Sequence, residues 1–173
     1  MAVRTILVAP DKRLKLRSNP VEAVDDEIRA LLGDMLETMY AGDGLGLAAI
    51  QIGVPKRVMV VDVHGPDDPP VPMKLINPEI TWFSPERIVY QEGCLSFPEY
   101  FADVERAAEV RVSYLDEGGE ACEIEASETL AVCLQHEVDH LDGKLFVDHL
   151  SLVKRGIILR KMAKAQRAKA AAE

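Results

Sequence analysis

Two histidines and a glutamate in the stretch QHEVDH, residues 135–140, have the spacing of a partial metal site. On a helix, residues four apart are offset by about 40° and about 6 Å along the axis, so His136 and His140 can bind the same ion. Glu137 then lies about 60° around the helix from His140, close enough to move a proton without being a ligand. Short HExxH matches also occur in helices that bind nothing, so the motif alone leaves both readings open.

A catalytic site of this kind normally has three protein ligands and keeps one position for water, so a third ligand is needed. The extension HExxHxxGxxH fails, because Phe146 stands at its last position and His149 comes three residues later. A downstream glutamate ligand fails as well, because the only later glutamate is Glu173. Asp142 and Asp148 are left as weak downstream candidates.

Two of the three cysteines are poor candidates for the third ligand. Cys133 lies seven residues before His140, about 10.5 Å along a helix, which is too far for both to reach one ion. It is predicted to be a packed core thiol. Cys122 lies in the alternating stretch ACEIEA and stays open. An odd number of cysteines in a chain with no export signal predicts reduced thiols.

Cys94 has a more distinctive setting in the stretch EGCLSFP. Gly93 permits a close approach of the backbone, and Pro98 is expected to end a strand ladder soon after the cysteine. We therefore predict a shaped loop around Cys94. A buried cysteine at the end of a strand is the alternative that composition cannot reject.

The elements that must position these residues are visible as periodic patterns. Apolar residues from Ile28 to Met39 recur at helical spacing between Asp25 and Gly42, which predicts a first helix. A second helix is predicted from a Ser127 cap to Asp142, and an amphipathic third helix from Ser151 onward. Short β-rich runs between the first two helices predict antiparallel strands: LAAIQI, RVMVVDV, MKLINPEI, RIVYQEG, EVRVSYLD and ACEIEA.

Length and composition predict one domain spanning residues 1–173, since the chain has 173 residues and is 48% hydrophobic. No stretch has the length of a membrane span or of a signal-peptide core, so we expect a cytoplasmic protein with no membrane partner. Charge is uneven, because residues 151–173 hold seven Lys or Arg and one Glu within a chain of net charge −9. This basic tail could dock on a polyanion or form a solvated helix face.

Three motifs in order give the chain a resemblance to the peptide deformylase family: GLGLAAIQ at 44–51, EGCLS at 92–96 and QHEVDH at 135–140. The resemblance implies an α+β fold with antiparallel sheets packed around a central helix that carries HExxH, and with an N-terminal and a C-terminal helix. It also implies that Cys94, His136 and His140 bind one divalent metal ion. Fe(II) is the usual ion in the family, and Zn, Ni or Co can take its place.

The resemblance implies removal of the formyl group from N-formylmethionyl peptides. Glu137 would act as general base and then general acid. The Gln51 amide and the backbone N–H of Leu95 would stabilise the carbonyl oxygen. Backbone groups around Leu45, Gly46 and Gly93 would pair with the extended peptide as an added strand does.

The methionine pocket is predicted from apolar residues near the histidines. Val132 and Cys133 are candidates for its wall together with Leu45 and Tyr90, and ordinary core packing is an equal alternative. The glycines of GLGLAAIQ do not predict a dinucleotide loop, because a helix precedes them and a strand follows. The family further implies that the basic C-terminal helix can bind the ribosome, and no sequence-specific binding of nucleic acid is expected.

Two rival functions share the same residues. A zinc endopeptidase would use the HExxH residues to cleave internal peptide bonds. A non-catalytic protein, either a closed structural zinc site or a ribosome-binding module, would need no open metal position. A closed site requires a fourth ligand, for which the sequence offers only Cys122 or His64.

Overall fold

The computed structural model describes residues 2–172, which form three α-helices, seven strands and short 3₁₀ turns. The helices are α1 (Asp26–Ala41), α2 (Glu128–Leu141) and α3 (Leu152–Ala172). The strands are β1 (Gly46–Ala48), β2 (Val58–Val61), β3 (Met73–Phe83), β4 (Arg87–Cys94), β5 (Phe97–Ala107), β6 (Glu109–Leu115) and β7 (Ala121–Ser127).

All the strands pair antiparallel, in two sheets. One sheet has five strands in the order β1-β2-β3-β6-β7, and the other is the β4-β5 hairpin. Helix α2 packs against β1, β2, β3, β5, β6 and β7, and so lies at the centre of the molecule. The predicted α+β fold with antiparallel sheets around a central helix is confirmed.

Strand β2 is buried on both faces and separates two apolar clusters. Met59 and Val61 face the cluster that includes residues of α2, whereas Val58 and Val60 face the cluster that includes residues of α1. Side chains alternate between the two faces of a strand, so four consecutive apolar residues serve both clusters. Strand β2 therefore contacts α2 through one face and α1 through the other.

The predicted N-cap side chain makes its hydrogen bond at the start of α1 but not at the start of α2. The Asp25 carboxylate accepts a hydrogen bond from the N–H of Ile28, and α1 ends at Gly42, as predicted. Ser127 stands at the N-cap position of α2, but its side chain makes no capping hydrogen bond. Gly143 follows α2 with φ of 74°, and a Cβ there would lie 2.4 Å from the carbonyl oxygen of Lys15. Only glycine fits that position.

Two strand predictions were wrong at their boundaries. LAAIQI was predicted as one strand, but residues 49–52 form a 3₁₀ turn in which the Gln51 side chain accepts the N–H of Ala48. Pro98 was expected to end a ladder, but it is the second residue of β5, a strand the pattern did not predict. The register shifts between the Cys94–Phe97 and Gly93–Phe101 pairs, so proline falls in an irregular stretch where its missing N–H is tolerated.

Helix α3 packs through few of its residues. Met162 is buried, and Ile158 and Leu159 pack partly against a third cluster that contains Phe97 and Phe146. An amphipathic helix was predicted to bury its apolar face, but the apolar residues of its first turns are exposed: Leu152, Val153 and Ile157. No helix among residues 2–172 combines the length and the apolarity needed to cross a membrane.

Candidate metal centre

The last residue of β4 and two residues of α2 meet in the interior. The ligand atoms of Cys94, His136 and His140 all lie within 4.8 Å of one another. The thiol sulfur of Cys94 is 3.3 Å from Nε2 of His140, although 46 residues separate them in sequence. The three residues that the family resemblance assigned to a metal therefore come together.

Their arrangement fits a divalent metal ion. With bonds of about 2.3 Å to sulfur and 2.1 Å to nitrogen, a tetrahedral site puts a sulfur and a nitrogen ligand about 3.6 Å apart. The observed 3.3 Å between Cys94 and His140 is close to that value. One thiolate and two imidazoles also form a donor set that transition metals prefer.

No further His, Cys, Asp or Glu side chain within residues 2–172 joins this group. The weaker sequence candidates all have other partners. His64 contacts Asp62, Cys122 lies near Asp116, Asp142 pairs with Arg57, Asp148 pairs with Lys15, and His149 contacts Asp139. A closed four-ligand zinc site therefore finds no fourth protein ligand in the described part of the chain.

The two histidines have opposite electrostatic settings. Nδ1 of His136 lies 2.7 Å from the carboxylate of Glu92, which leaves Nε2 available to a metal. Burial lowers the pKa of His136, but the hydrogen bonds with Cys94 and Glu92 outweigh burial and raise it well above its usual value. Burial lowers the pKa of His140, whose Nδ1 has no hydrogen-bond partner in residues 2–172.

Glu137 is buried beside these ligands without a counter-ion of its own. Glu137 is only 4% exposed, and its Oε2 has no hydrogen-bond partner in the described chain. Burial raises the pKa of Glu137 to about 7. A Cβ on Gly46 would lie 2.6 Å from Oε1 of Glu137, so the glycine makes room for the carboxylate.

Gln51 is buried with its amide oriented from both ends. Its Oε1 accepts the N–H of Ala48 at 2.9 Å, and its Nε2 donates to the hydroxyl of Ser96 at 3.1 Å. Nε2 also lies 3.6 Å from the sulfur of Cys94. An amide donor is thus held beside the candidate metal ligand.

A cavity of about 510 Å³ opens onto this group. Its wall contains every residue that was assigned to substrate binding: Leu45, Gly46, Tyr90, Gly93, Val132 and Cys133. Gln51, Leu95, Cys94, His136 and Glu137 line it too. Cys133 both packs in the core and lines the cavity, and burial raises the pKa of its thiol well above the usual value.

Sequence reasoning missed the residues that support the ligands. Glu92 contacts His136, Arg106 donates to both Glu92 and Asp139, and Ser96 accepts from Gln51. Glu92 and Ser96 lie inside EGCLS, so their motif was a usable signal. Arg106 lies on β5, a strand that the pattern did not predict, so no sequence signal pointed to it.

Comparison with known proteins gives one consistent family. Residues 3–156 match the family model described as Polypeptide deformylase. The chain is 55% identical to a peptide deformylase of Rhizorhabdus wittichii, and the match covers 99% of this chain and 100% of that protein.

Solved structures agree with that match. A crystal structure of peptide deformylase from Ehrlichia chaffeensis in complex with actinonin is similar with a TM-score of 0.92 and 46% identity, covering 96% of this chain and 99% of that one. A peptide deformylase from Acinetobacter baumannii bound to Met-Ala-Ser is similar with a TM-score of 0.81 and 38% identity, covering 86% and 99%.

Proposed function

The chain belongs to the polypeptide deformylase family, hydrolases that remove the formyl group from nascent peptides, and we propose that it does so with the residues around Cys94 and α2. The observation that carries this proposal is the convergence of Cys94, His136 and His140 beside the buried carboxylate of Glu137. The cavity that opens there is large enough for several side chains of a peptide.

Cys94, His136 and His140 would hold one divalent metal ion. Such an ion supplies Lewis acidity that makes a water molecule a nucleophile near neutral pH. We propose Fe(II) as the physiological ion, as the family resemblance implies; a thiolate with two imidazoles would also suit Zn, Ni or Co. Metal analysis of protein purified without oxygen tests this. Activity with Fe(II) should decay in air while activity with nickel persists, because oxidation of iron or of Cys94 destroys the site.

Glu137 would take a proton from the attacking water as its oxygen bonds to the formyl carbon. It would return that proton to the nitrogen as the C–N bond breaks, which yields formate and a free N-terminal amine. A buried carboxylate with a raised pKa suits a group that must both accept and donate a proton near neutral pH.

Gln51 and Leu95 would stabilise the negative charge that develops on the formyl oxygen. The Gln51 amide is already oriented by Ala48 and Ser96, so little rearrangement is needed during the reaction. The backbone N–H of Leu95, which directly follows Cys94, would be the second donor.

The peptide would bind in the cavity in an extended form, with backbone groups of Leu45, Gly46 and Gly93 as partners. The methionine side chain would contact four residues of the cavity wall: Leu45, Tyr90, Val132 and Cys133. The related structures with Met-Ala-Ser and actinonin support a peptide-shaped ligand.

Formate release separates this function from its rivals. The protein should release formate from formyl-Met-Ala-Ser and leave Met-Ala-Ser uncut, whereas an endopeptidase would produce internal fragments. Cys94→Ala should lose both metal and turnover. Glu137→Gln should keep the metal and lose turnover, which separates binding from catalysis. A protein that binds metal and releases no formate would refute the proposal.

A second proposal concerns α3, which we propose binds the ribosome and so places the reaction in the cytoplasm. The helix carries seven basic residues, of which Arg155 pairs with Asp148, and it buries little besides Met162, so its other charges are available to a polyanion. Deleting residues 151–173 should reduce co-sedimentation with ribosomes, and the loss should resemble the effect of added salt. Unchanged co-sedimentation would remove this proposal.

A further inference from the structure

One buried side chain connects the two elements that carry the candidate ligands. Arg106, on β5, donates from Nε and Nη2 to both carboxylate oxygens of Glu92, at 2.7 and 2.9 Å. Its Nη1 donates to Oδ2 of Asp139 at 2.6 Å. The Arg106 side chain is 4% exposed and that of Glu92 is 3% exposed, so their contact is shielded from water, while the Asp139 side chain is 16% exposed.

The two acidic partners lie next to the ligands themselves. Glu92 precedes Cys94 by two residues on β4 and also contacts Nδ1 of His136 at 2.7 Å. Asp139 directly precedes His140 on α2. Arg106 therefore joins the strand that carries the sulfur to the helix that carries both imidazoles.

We propose that Arg106 and Asp139 are positioning residues that hold β4 and α2 in the register that the metal ligands require. We call Glu92, Arg106 and Asp139 the arginine clamp. The proposal rests on the metal site proposed above. It also accounts for Asp139, a residue of QHEVDH that the chemistry of the site does not otherwise use.

The arginine clamp is expected to set the geometry of the site more than the stability of the fold. A buried ion-pair triad is weak evidence for stability, because apolar residues of similar volume often replace one without loss. A guanidinium does fix relative position, because it is planar and directional: two of its nitrogens are held by Glu92, and this aims the third at Asp139. Metal sites need ligand distances within about 0.2 Å of their ideal values, so a small slide of β4 along α2 would weaken binding.

His149 marks the outer end of the same network and provides a matched control. Its Nε2 lies 2.7 Å from Oδ2 of Asp139 and 3.3 Å from Nη1 of Arg106, and its side chain is 35% exposed. Removing His149 keeps the contacts of Arg106 with Glu92 and with Asp139, which are the ones that join β4 to α2. Removing the Asp139 carboxylate keeps the Glu92–Arg106 pair and the Glu92–His136 contact, and it cuts the contacts of Asp139 with Arg106 and with His149.

The test measures cobalt affinity by competition with a chelator, together with the absorption spectrum of the cobalt-loaded protein. Asp139→Ala should bind cobalt about 10- to 100-fold more weakly, the usual effect of losing an outer partner of a metal site. Its thiolate and ligand-field bands should shift. His149→Ala should bind within about twofold of the unsubstituted protein, a margin set by its place outside the clamp.

A second variant avoids leaving buried charges unpaired. Arg106→Met combined with Glu92→Gln and Asp139→Asn removes all three charges while the glutamine oxygen can still accept from His136. We expect this triple variant to fold, by circular dichroism, and to bind cobalt at least tenfold more weakly, in line with outer-partner losses elsewhere.

The outcomes are distinct. If the unsubstituted protein binds no cobalt, the proposed metal site fails. If it binds cobalt and both Asp139→Ala and the triple variant match it in affinity and spectrum, the arginine clamp is refuted while the metal site stands. A lower melting temperature of these variants with unchanged cobalt affinity would also refute it, since that is the result of a purely structural role.

Discussion

At the scale of single residues, the amide of Gln51 serves the proposed chemistry only in the orientation that Ala48 and Ser96 impose. Gln51→Glu keeps the oxygen that accepts from Ala48, but it removes the N–H₂ donor and places a carboxylate near Cys94. We expect kcat to fall about 100- to 1,000-fold, as when an oxyanion donor is lost, with a smaller change in KM. Steady-state formate release measures both constants, and an unchanged kcat would exclude a catalytic role for Gln51.

Gly46 provides a steric test of Glu137 that leaves the carboxylate chemically intact. A Cβ at position 46 would lie 2.6 Å from Oε1 of Glu137 and 2.9 Å from the sulfur of Cys133. Gly46→Ala should therefore displace Glu137 and cut turnover at least 100-fold, because a shift of about 1 Å can have that effect. The bound metal should remain.

The matched control for this change is Gly156→Ala. Apart from the adjacent helix backbone, no heavy atom of residues 2–172 lies within 4 Å of a Cβ at position 156, and Gly156 is on α3, away from the cavity. It should leave formate release unchanged. Full turnover in Gly46→Ala, with metal still bound, would mean that Glu137 need not hold its observed position.

At the scale of elements, local signals predicted the helices better than the strands. Helix α1 has both an Asp25 cap and an apolar face, so its bounds were readable from neighbouring residues. Strand β5 depends on pairing with β4, and Pro98 concealed it. The meeting of Cys94 with α2 came from the family resemblance, because no periodicity connects residues 46 positions apart. Arg106 lacked any signal, since its partners are defined only in three dimensions.

Asp62 connects the end of α1 to the end of β2 and gives the fold a predictable response to acid. Its buried carboxylate accepts hydrogen bonds from the hydroxyl of Tyr40 at 2.5 Å and from the N–H of Val71 at 3.2 Å, and it contacts Nδ1 of His64 at 2.8 Å. Burial raises the pKa of Asp62, but these contacts outweigh burial and hold it below the usual 3.8.

A pKa that is lower in the folded state means stability that is present above the unfolded pKa and lost as pH falls through the folded pKa. The free energy of unfolding should therefore decrease below about pH 4, the unfolded value for aspartate. Asp62→Asn should be less stable at neutral pH and should show a shallower decrease in that window. Denaturant titrations from pH 2 to pH 7 measure this, with Asp67→Asn, an exposed loop residue, as the control. If the free energy of unfolding of the two variants depended on pH in the same way, Asp62 would not be the source of the acid response.

At the scale of the whole molecule, three apolar clusters share elements rather than dividing the chain. The α1 cluster and the α2 cluster both use β2, and the third cluster joins β5 to α3. The composition predicted a single domain, and this sharing leads us to expect one cooperative unfolding transition for residues 1–173. Calorimetric and van't Hoff enthalpies that agree would support this prediction, and two resolved transitions would contradict it.

Metal removal tests the coupling between the proposed site and the rest of the fold. An ion that binds Cys94, His136 and His140 only in the folded state stabilises the protein by about 4 kcal/mol when its free concentration is 1,000 times its Kd. For a chain of this length, that corresponds to a rise in Tm of roughly 8 to 16 °C. Scanning calorimetry with and without added metal should show one transition that moves as a whole, because the ligands lie on β4 and α2 within the core. Cys94→Ala should not respond to metal. A metal-induced shift of the same size in Cys94→Ala would place the stabilising ion at another site.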